Sequence, residues 1–566
     1  MKLPRRSIAM VGLLIAASVV FAPLLAALAG TGLSASAVAE ALRGSARPLL
    51  GSAGTSAVAG VVSLALGVPF AMCVERSRTW VRRACWAVGL AVLMVPPYVV
   101  AEAWIVLLGP VGKLSRGAVE LLGFGPAPGD PMAMARFSVP GYVYSWPAVG
   151  VVMGGCLFPI VALAVASAFR RTDQRMFESA RLAQGQRGVL AVGARAMALP
   201  ALGAGLLVFA ATLTEFAVPQ LLRVSTVGEA IYERIQEGEL PVAAALSLPL
   251  MPLVLGAGGL GAWALARSRA ASLAGMEGEV PKFTARSRGL RGDVVAGCAT
   301  VIAATPALLL PALSLGWLAS TWRLTEVSAE VSTDARYRVL RASGFGEAMS
   351  GAWELARSDA FRTAWLAALA ATVSTFFAVM LARAASRAGW GWMLGVLGAG
   401  LAVPASIVGL GLIALWDRGW GEAVYQSWGI VLLAWLARFF PVGVFLSQGA
   451  MSRVPRELES AAALAGRGAV GRLWAVVLPG AAPGIVAAWL AVYVLSATEF
   501  SATLLVSPPG GSLLAPSVLN LIRRGQDPEI AACQVLLLAV VAIPLLPLGA
   551  ATAAMAFRFG RKGESQ

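Results

Sequence analysis

Four ionisable side chains fall in or beside long apolar runs: Glu102, Glu215, Glu499 and Arg438. A charge at the centre of a bilayer costs ~2.5–3.5 kcal/mol or more, so such groups face protein or water rather than lipid. Glu215 and Glu499 each occupy a Thr-Glu-Phe triplet, in segments that parallel each other, TLTEFAVPQLL (212–222) and SATEFSATLLV (496–506). As a symmetric acidic pair they could attract a cation or gate a path; interfacial anchoring or a helix–helix hydrogen bond is the alternative. Arg438 has Cys156 at its matching position and is read as structural, pairing with carbonyls or an acid. Pro97 (after Pro96) and Pro404 interrupt the third and ninth apolar runs, and Pro159 and Pro441 the fourth and tenth. Prolines there either bend helices around a cavity, freeing carbonyls, or are packing kinks. Glu102, Glu215, Glu499, Pro97 and Pro404 are the candidates for lining a translocation path.

Other chemistry is excluded by residue type. The chain has no histidine, which rules out His-ligated metal sites and His-assisted nucleophilic catalysis. There is no GxxxxGK[ST] loop, and no soluble segment is large enough for a nucleotide-binding domain. The cysteines (Cys73, Cys85, Cys156, Cys298, Cys533) form no CxxC pair and read as small packing residues. The expectation is a chain that is not an enzyme and holds no metal or cofactor.

A second pattern can do mechanical work. FESARLAQGQRGVLAVGARAMALP (177–200) and LESAAALAGRGAVGRLWAVVLP (458–479) repeat each other. Each has Glu-Ser-Ala, a Gly about two helical turns on, and a Leu-Pro opening the next apolar run. A short helix broken by Gly and returned to the membrane at Pro makes a rigid projection, suited to a groove on a soluble partner. Loop capping is the plainer alternative.

The elements that position these residues are membrane spans. The 566 residues are 58% hydrophobic and 13% charged, with mean hydropathy +0.77; soluble domains carry roughly 25% charged residues. Apolar stretches long enough to cross a bilayer as helix lie near 8–29, 54–75, 84–109, 143–168, 199–222, 240–266, 294–320, 361–383, 390–416, 425–448, 474–505 and 530–556. No alternating barrel pattern appears, so the fold class is an all-α polytopic membrane protein with twelve transmembrane helices. The first run begins like a signal peptide, but its apolar core is too long for one and reads as an uncleaved anchor. Of the 45 Lys plus Arg, about 28 fall in the termini and even-numbered loops, against about 16 in the odd-numbered loops. Both termini are therefore expected in the cytoplasm. The net charge of +16 is mostly this topology signal, and no basic soluble domain for nucleic acid is evident.

The duplication reaches beyond the loops. Residues 54–78 parallel 362–386, 93–108 parallel 401–416, and CLFP (156–159) parallels RFFP (438–441). Two six-span repeats of the same orientation follow, 1–285 with a loop at 170–200 and 286–566 with a loop at 450–479, joined through a basic connector (267–291). The segments 110–142 and 321–360 read as loops with short surface helices.

At these residues the chain resembles the permease subunits of binding-protein-dependent ATP-binding-cassette (ABC) importers. Their loop has Glu-Ala-Ala, a Gly six positions after the Glu, and a Leu-Pro ending. The second copy keeps that spacing with Ser460-Ala461-Ala462, Gly466, Leu478 and Pro479, and Glu459 stands just before it. The first has Glu178-Ser179-Ala180, Gly185 and Leu199-Pro200, and is longer by two or three residues. The fused two-copy form looks most like the ferric-iron permeases, with the thiamine permeases close behind, on MVPPYVVAEAW (94–104), LFP and RFFP, and EFSATLLVSPPG (499–510). The resemblance implies the importer-permease (MetI-like) fold in a bacterial inner membrane. It implies two copies of an ABC ATPase, carrying ATP and Mg, on the loops holding Glu178, Ser179, Ala180, Gly185, Leu199, Pro200, Glu459, Ser460, Ala461, Gly466, Leu478 and Pro479. An extracytoplasmic solute-binding protein would dock opposite. Ferric iron leads as solute, with thiamine, polyamine, phosphonate or sulfate as alternatives. A secondary transporter driven by an ion gradient is the rival class.

Overall fold

The structure is a computed structural model describing residues 19–27, 29, 34–109, 112, 114–115, 142–172, 174–274, 290–319, 322–326, 338–342, 345–388, 397, 400–401, 403–524 and 528–545. Among them the chain is helical apart from one two-stranded ribbon, and it forms an all-α polytopic membrane protein of the MetI-like type. Among the described residues eight helices are long and apolar enough to cross a membrane, and a helix pair bent by 87°, Thr79–Val92 with Pro97–Leu108, passes the same test taken together, as a broken span or a re-entrant loop. Two shorter apolar helices, Ala405–Trp416 and Ile530–Ala542, fall in the expected ninth and twelfth spans. Much of the expected first, ninth and twelfth spans lies outside the described residues.

The helices group into two compact units. The first, Leu33–Ser320, contains α1 (Ala35–Gly44), α2 (Ala46–Val74), α3 (Thr79–Val92), α4 (Pro97–Leu108), α5 (Trp146–Arg171), α6 (Gln174–Leu213), α7 (Ala217–Leu221), α8 (Val227–Gln236), α9 (Leu240–Ala274), α10 (Leu290–Ala304) and α11 (Leu310–Ala319). α2 and α5 pack along each other closely enough that glycines are required: a Cβ on Gly67 would lie 2.8 Å from the Phe158 carbonyl, and one on Gly154 2.7 Å from the Ala59 carbonyl. Small-residue faces of this kind let backbones approach where lipid supplies no hydrophobic drive.

The second unit, Met1–Gly32 with Thr321–Gln566, contains helical residues 19–27, a ribbon of β1 (Trp322–Glu326) and β2 (Arg338–Ala342), then α12 (Phe345–Ala388), α13 (Ala405–Trp416), α14 (Glu422–Tyr425), α15 (Gly429–Met451), α16 (Arg456–Leu464), α17 (Ala469–Arg472), α18 (Leu478–Ala497), α19 (Ser501–Val506), α20 (Leu514–Arg524) and α21 (Pro528–Ala542). The strands are antiparallel, with Leu324 opposite Leu340. Residues 321–360 were expected to be loop with short surface helices; they hold this ribbon and the start of a 44-residue helix.

The compact units divide the chain differently from the repeats expected at 1–285 and 286–566: the N-terminal helical residues group with the second half of the chain, and α10 and α11 with the first. Val20 is buried with Ala378, Leu381, Leu397, Phe440 and Val444. A Cβ on Gly411 would lie 1.7 Å from the Pro23 carbonyl, so only glycine fits there. Conversely α10 and α11 belong with α2 to α5. The Arg78 N–H donates to Asp293 Oδ1 (2.9 Å), and Trp104 Nε1 donates to the Pro306 carbonyl (3.1 Å).

Prolines shape the helices in three ways. Pro96 and Pro97 end α3 and start α4, producing the bent span, and Pro404 caps the start of α13. Pro159 and Pro441 interrupt nothing, since α5 and α15 run through them. Pro311 and Pro479 each follow a π-helical turn, Thr305–Leu309 and Leu473–Val477. A proline ring collides with the carbonyl four residues earlier, and the wider turn accommodates it.

Candidate functional site

The two loops are built as their glycines dictate. In the first, α6 is two helices merged across a kink at Gly185, whose backbone (φ 60°, ψ −139°) only glycine adopts readily. Glu178 and Ser179 are exposed before the kink, and Ala180 is half-buried. Ser179 Oγ donates to the Met176 carbonyl (3.1 Å). Leu199 and Pro200 lie within the continuing helix, the proline buried. In the second loop, α16 ends in a Schellman motif at Gly466 (φ 79°). The Gly466 N–H donates to the Ala463 carbonyl and the Arg467 N–H to the Ala462 carbonyl, both at 3.0 Å. Ser460 and Ala461 are exposed, as is Pro479, while Leu478 packs against a core that includes Met451 and Val477.

Each loop presents a nearly bare leucine just before its break: Leu182 is 90% exposed and Leu464 91%. Sequence reading missed both, because an exposed leucine is not distinguishable from a buried one by type.

The loops are anchored differently. Phe177 meets Phe169 at the end of α5 with ring centroids 5.7 Å apart, and the Arg76 guanidinium lies over Phe169. In the second loop Glu459 forms an ion pair with Arg383 near the end of α12, with Arg472 Nε at 3.9 Å. Arg383 aligns with Glu75 in the parallel segments 54–78 and 362–386. Glu75 is buried and binds Arg170 through two hydrogen bonds, Nε at 2.9 Å and Nη2 at 2.6 Å; Trp86 Nε1 also donates to it at 2.9 Å. That reversal of charge at matching positions was the available sequence signal for Arg383 and Glu75.

The acids of the Thr-Glu-Phe triplets serve the backbone. Glu499 is buried and accepts from Arg438 Nη1, the Ala502 N–H and the Thr503 N–H, each at 2.9 Å, and from the Thr503 hydroxyl. Trp435 Nε1 donates to the same hydroxyl. Glu499 thus caps α19 and neutralises Arg438, which fits the structural reading of that arginine. Glu215 likewise accepts from the Ala217 N–H at 3.1 Å at the start of α7. Glu102 is different: it is buried on α4, and its Oε1 has no hydrogen-bond partner among the described residues.

A bundle of apolar helices with one broken span and two glycine-broken loops defines a polytopic membrane permease. The chain is 30% identical over 202 residues to the putrescine transport system permease protein PotI of Escherichia coli, covering 34% of this chain and 72% of that one. It is 28% identical over 151 residues to PhnV of Salmonella typhimurium, a permease protein named for 2-aminoethylphosphonate transport, covering 26% and 55%. No protein-family profile matches the chain. The chain belongs to the permeases of binding-protein-dependent ABC importers.

Proposed function

We propose that this chain is a fused two-repeat permease, 1–285 and 286–566, in a bacterial inner membrane with both termini in the cytoplasm. It passes a solute from an extracytoplasmic binding protein to the cytoplasm. Two separate ATPase subunits, which carry the ATP and Mg, engage the loops at 170–200 and 450–479. ATP binding and hydrolysis then switch the bundle between its outward- and inward-open states. The observation that carries this reading is the pair of breaks at Gly185 and Gly466, each just after an exposed leucine. A bare apolar side chain on a short, sharply terminated helix supports a docking role.

The solute we propose is a small aliphatic amine. Putrescine and 2-aminoethylphosphonate, after which the two relatives are named, share a primary amine on a short carbon chain. That support favours the polyamine and phosphonate alternatives over ferric iron, the leading reading from sequence segments alone.

Gly466→Pro tests the coupling role. Proline's fixed φ near −65° is incompatible with φ 79°, and the variant also loses an N–H that closes the Schellman motif. Solute-stimulated ATPase activity should vanish in proteoliposomes containing the full complex, while the variant still inserts and purifies. Normal stimulation and uptake would refute the assignment. In the same vesicles, wild-type uptake should require ATP and persist with a proton uncoupler.

A further inference from the structure

Among the described residues three acids are buried: Glu75 (3% exposed), Glu102 (3%) and Glu499 (6%). Glu75 is held by Arg170 and Trp86, and Glu499 by Arg438 and a helix start. Glu102 has neither, and Oε1 is left without a partner. Burying a carboxylate oxygen without a hydrogen bond is costly, and a native protein retains such a group for a reason.

The scaffold is not that reason. In the parallel segments 93–108 and 401–416, Glu102 aligns with Leu410 and Tyr98 with Ser406. The second segment builds a 12-residue helix of the same kind, entered through proline, with Leu410 buried where the acid would stand. The helix therefore forms without the carboxyl. Glu102 also stands on the second limb of the span bent by 87°. Broken helices at membrane depth line cavities where solutes bind. Tyr98, also buried, stands one turn earlier on the same helix face.

We propose that Glu102 is a binding station for the solute's primary ammonium group during its passage. The ammonium donates its N–H groups to the carboxylate, replacing the water it sheds on entering the bundle. This assignment rests on the reading of the solute as an amine.

The test uses the full complex of permease, ATPase and binding protein in proteoliposomes, with radiolabelled putrescine and 2-aminoethylphosphonate as probes. Glu102→Gln keeps the shape and removes the charge; Glu102→Leu copies the other repeat; Glu102→Asp keeps the charge. Gln and Leu should lower uptake of the transported probe by roughly tenfold or more, the scale of one lost charge-assisted hydrogen bond. Asp should fall between these and wild type, and ATPase stimulation by the loaded binding protein should stay within about twofold. Wild-type uptake by the Gln and Leu variants overturns the proposal. So does parallel loss of uptake, ATPase stimulation and thermal stability in all three variants, which marks a structural group. If wild type transports neither probe, the amine reading itself fails and the station falls with it.

Discussion

The two loops share a signature and a glycine break, yet the contacts seen at their bases differ. The first is tied by a ring contact between Phe177 and Phe169, and its Glu178 is exposed. The second is tied by charge, with Glu459 drawn back onto Arg383. At the position matching Arg383, the first unit instead spends Glu75 on joining two spans, α2 and α5, through Arg170. Thus one unit locks span to span, and the other locks span to loop. Movement of the second loop should be felt directly by α12 through the Glu459–Arg383 ion pair.

The largest effect expected from this contrast is at Arg383. Arg383→Glu places two acids together in a partly buried site, and should reduce coupled ATPase activity by tenfold or more. The charge-swapped pair Arg383→Glu with Glu459→Arg should recover a substantial part of it. Failure of that recovery would mean the ion pair is not the anchor. Phe177→Ala in the first loop should reduce activity only severalfold, because an aromatic pair contributes about 0.5–1.5 kcal/mol beyond its area. An equal loss in the two variants would erase the distinction between the loops.

A second contrast lies in the acids of the triplets. Glu499→Gln weakens a group that accepts four hydrogen bonds, one of them from Arg438, whereas Glu215 accepts from the Ala217 N–H at the start of α7. The melting temperature of Glu499→Gln should therefore drop by several degrees, and an unchanged value would mean that these four bonds do not hold the helix start. The smallest effect should come from Leu182→Ser and Leu464→Ser: unchanged melting, and a similar severalfold weakening of ATPase binding in titration. Strong asymmetry there would sharpen the difference between the loops into one of docking as well as attachment.

The helical class, most of the spans and both glycine breaks were legible because they depend on local residue types: apolar length, Gly at a positive φ, Pro at a helix start. The ribbon at 322–342 was not, since strands reading WRLTE and RVLRA carry too few apolar residues for an alternation to register. The π turns were hidden because a proline announces a disturbance without saying how the preceding turn adjusts. Glu499 looked available in sequence because its partners, Arg438 and the α19 backbone, arrive by tertiary packing. Glu102 was picked out by residue type alone; only burial and bonding separate it from the other acids.

The exchange of first helices has a consequence for biosynthesis. Residues around Val20 and Pro23 leave the ribosome long before Ala378, Gly411 and Phe440, the neighbours that enclose them. At roughly 5–20 residues per second, that interval lasts on the order of tens of seconds. During it the earliest segment must wait in the lipid with its glycine-matched face uncovered, a window in which chaperones or quality-control proteases of the bilayer could act on the nascent chain.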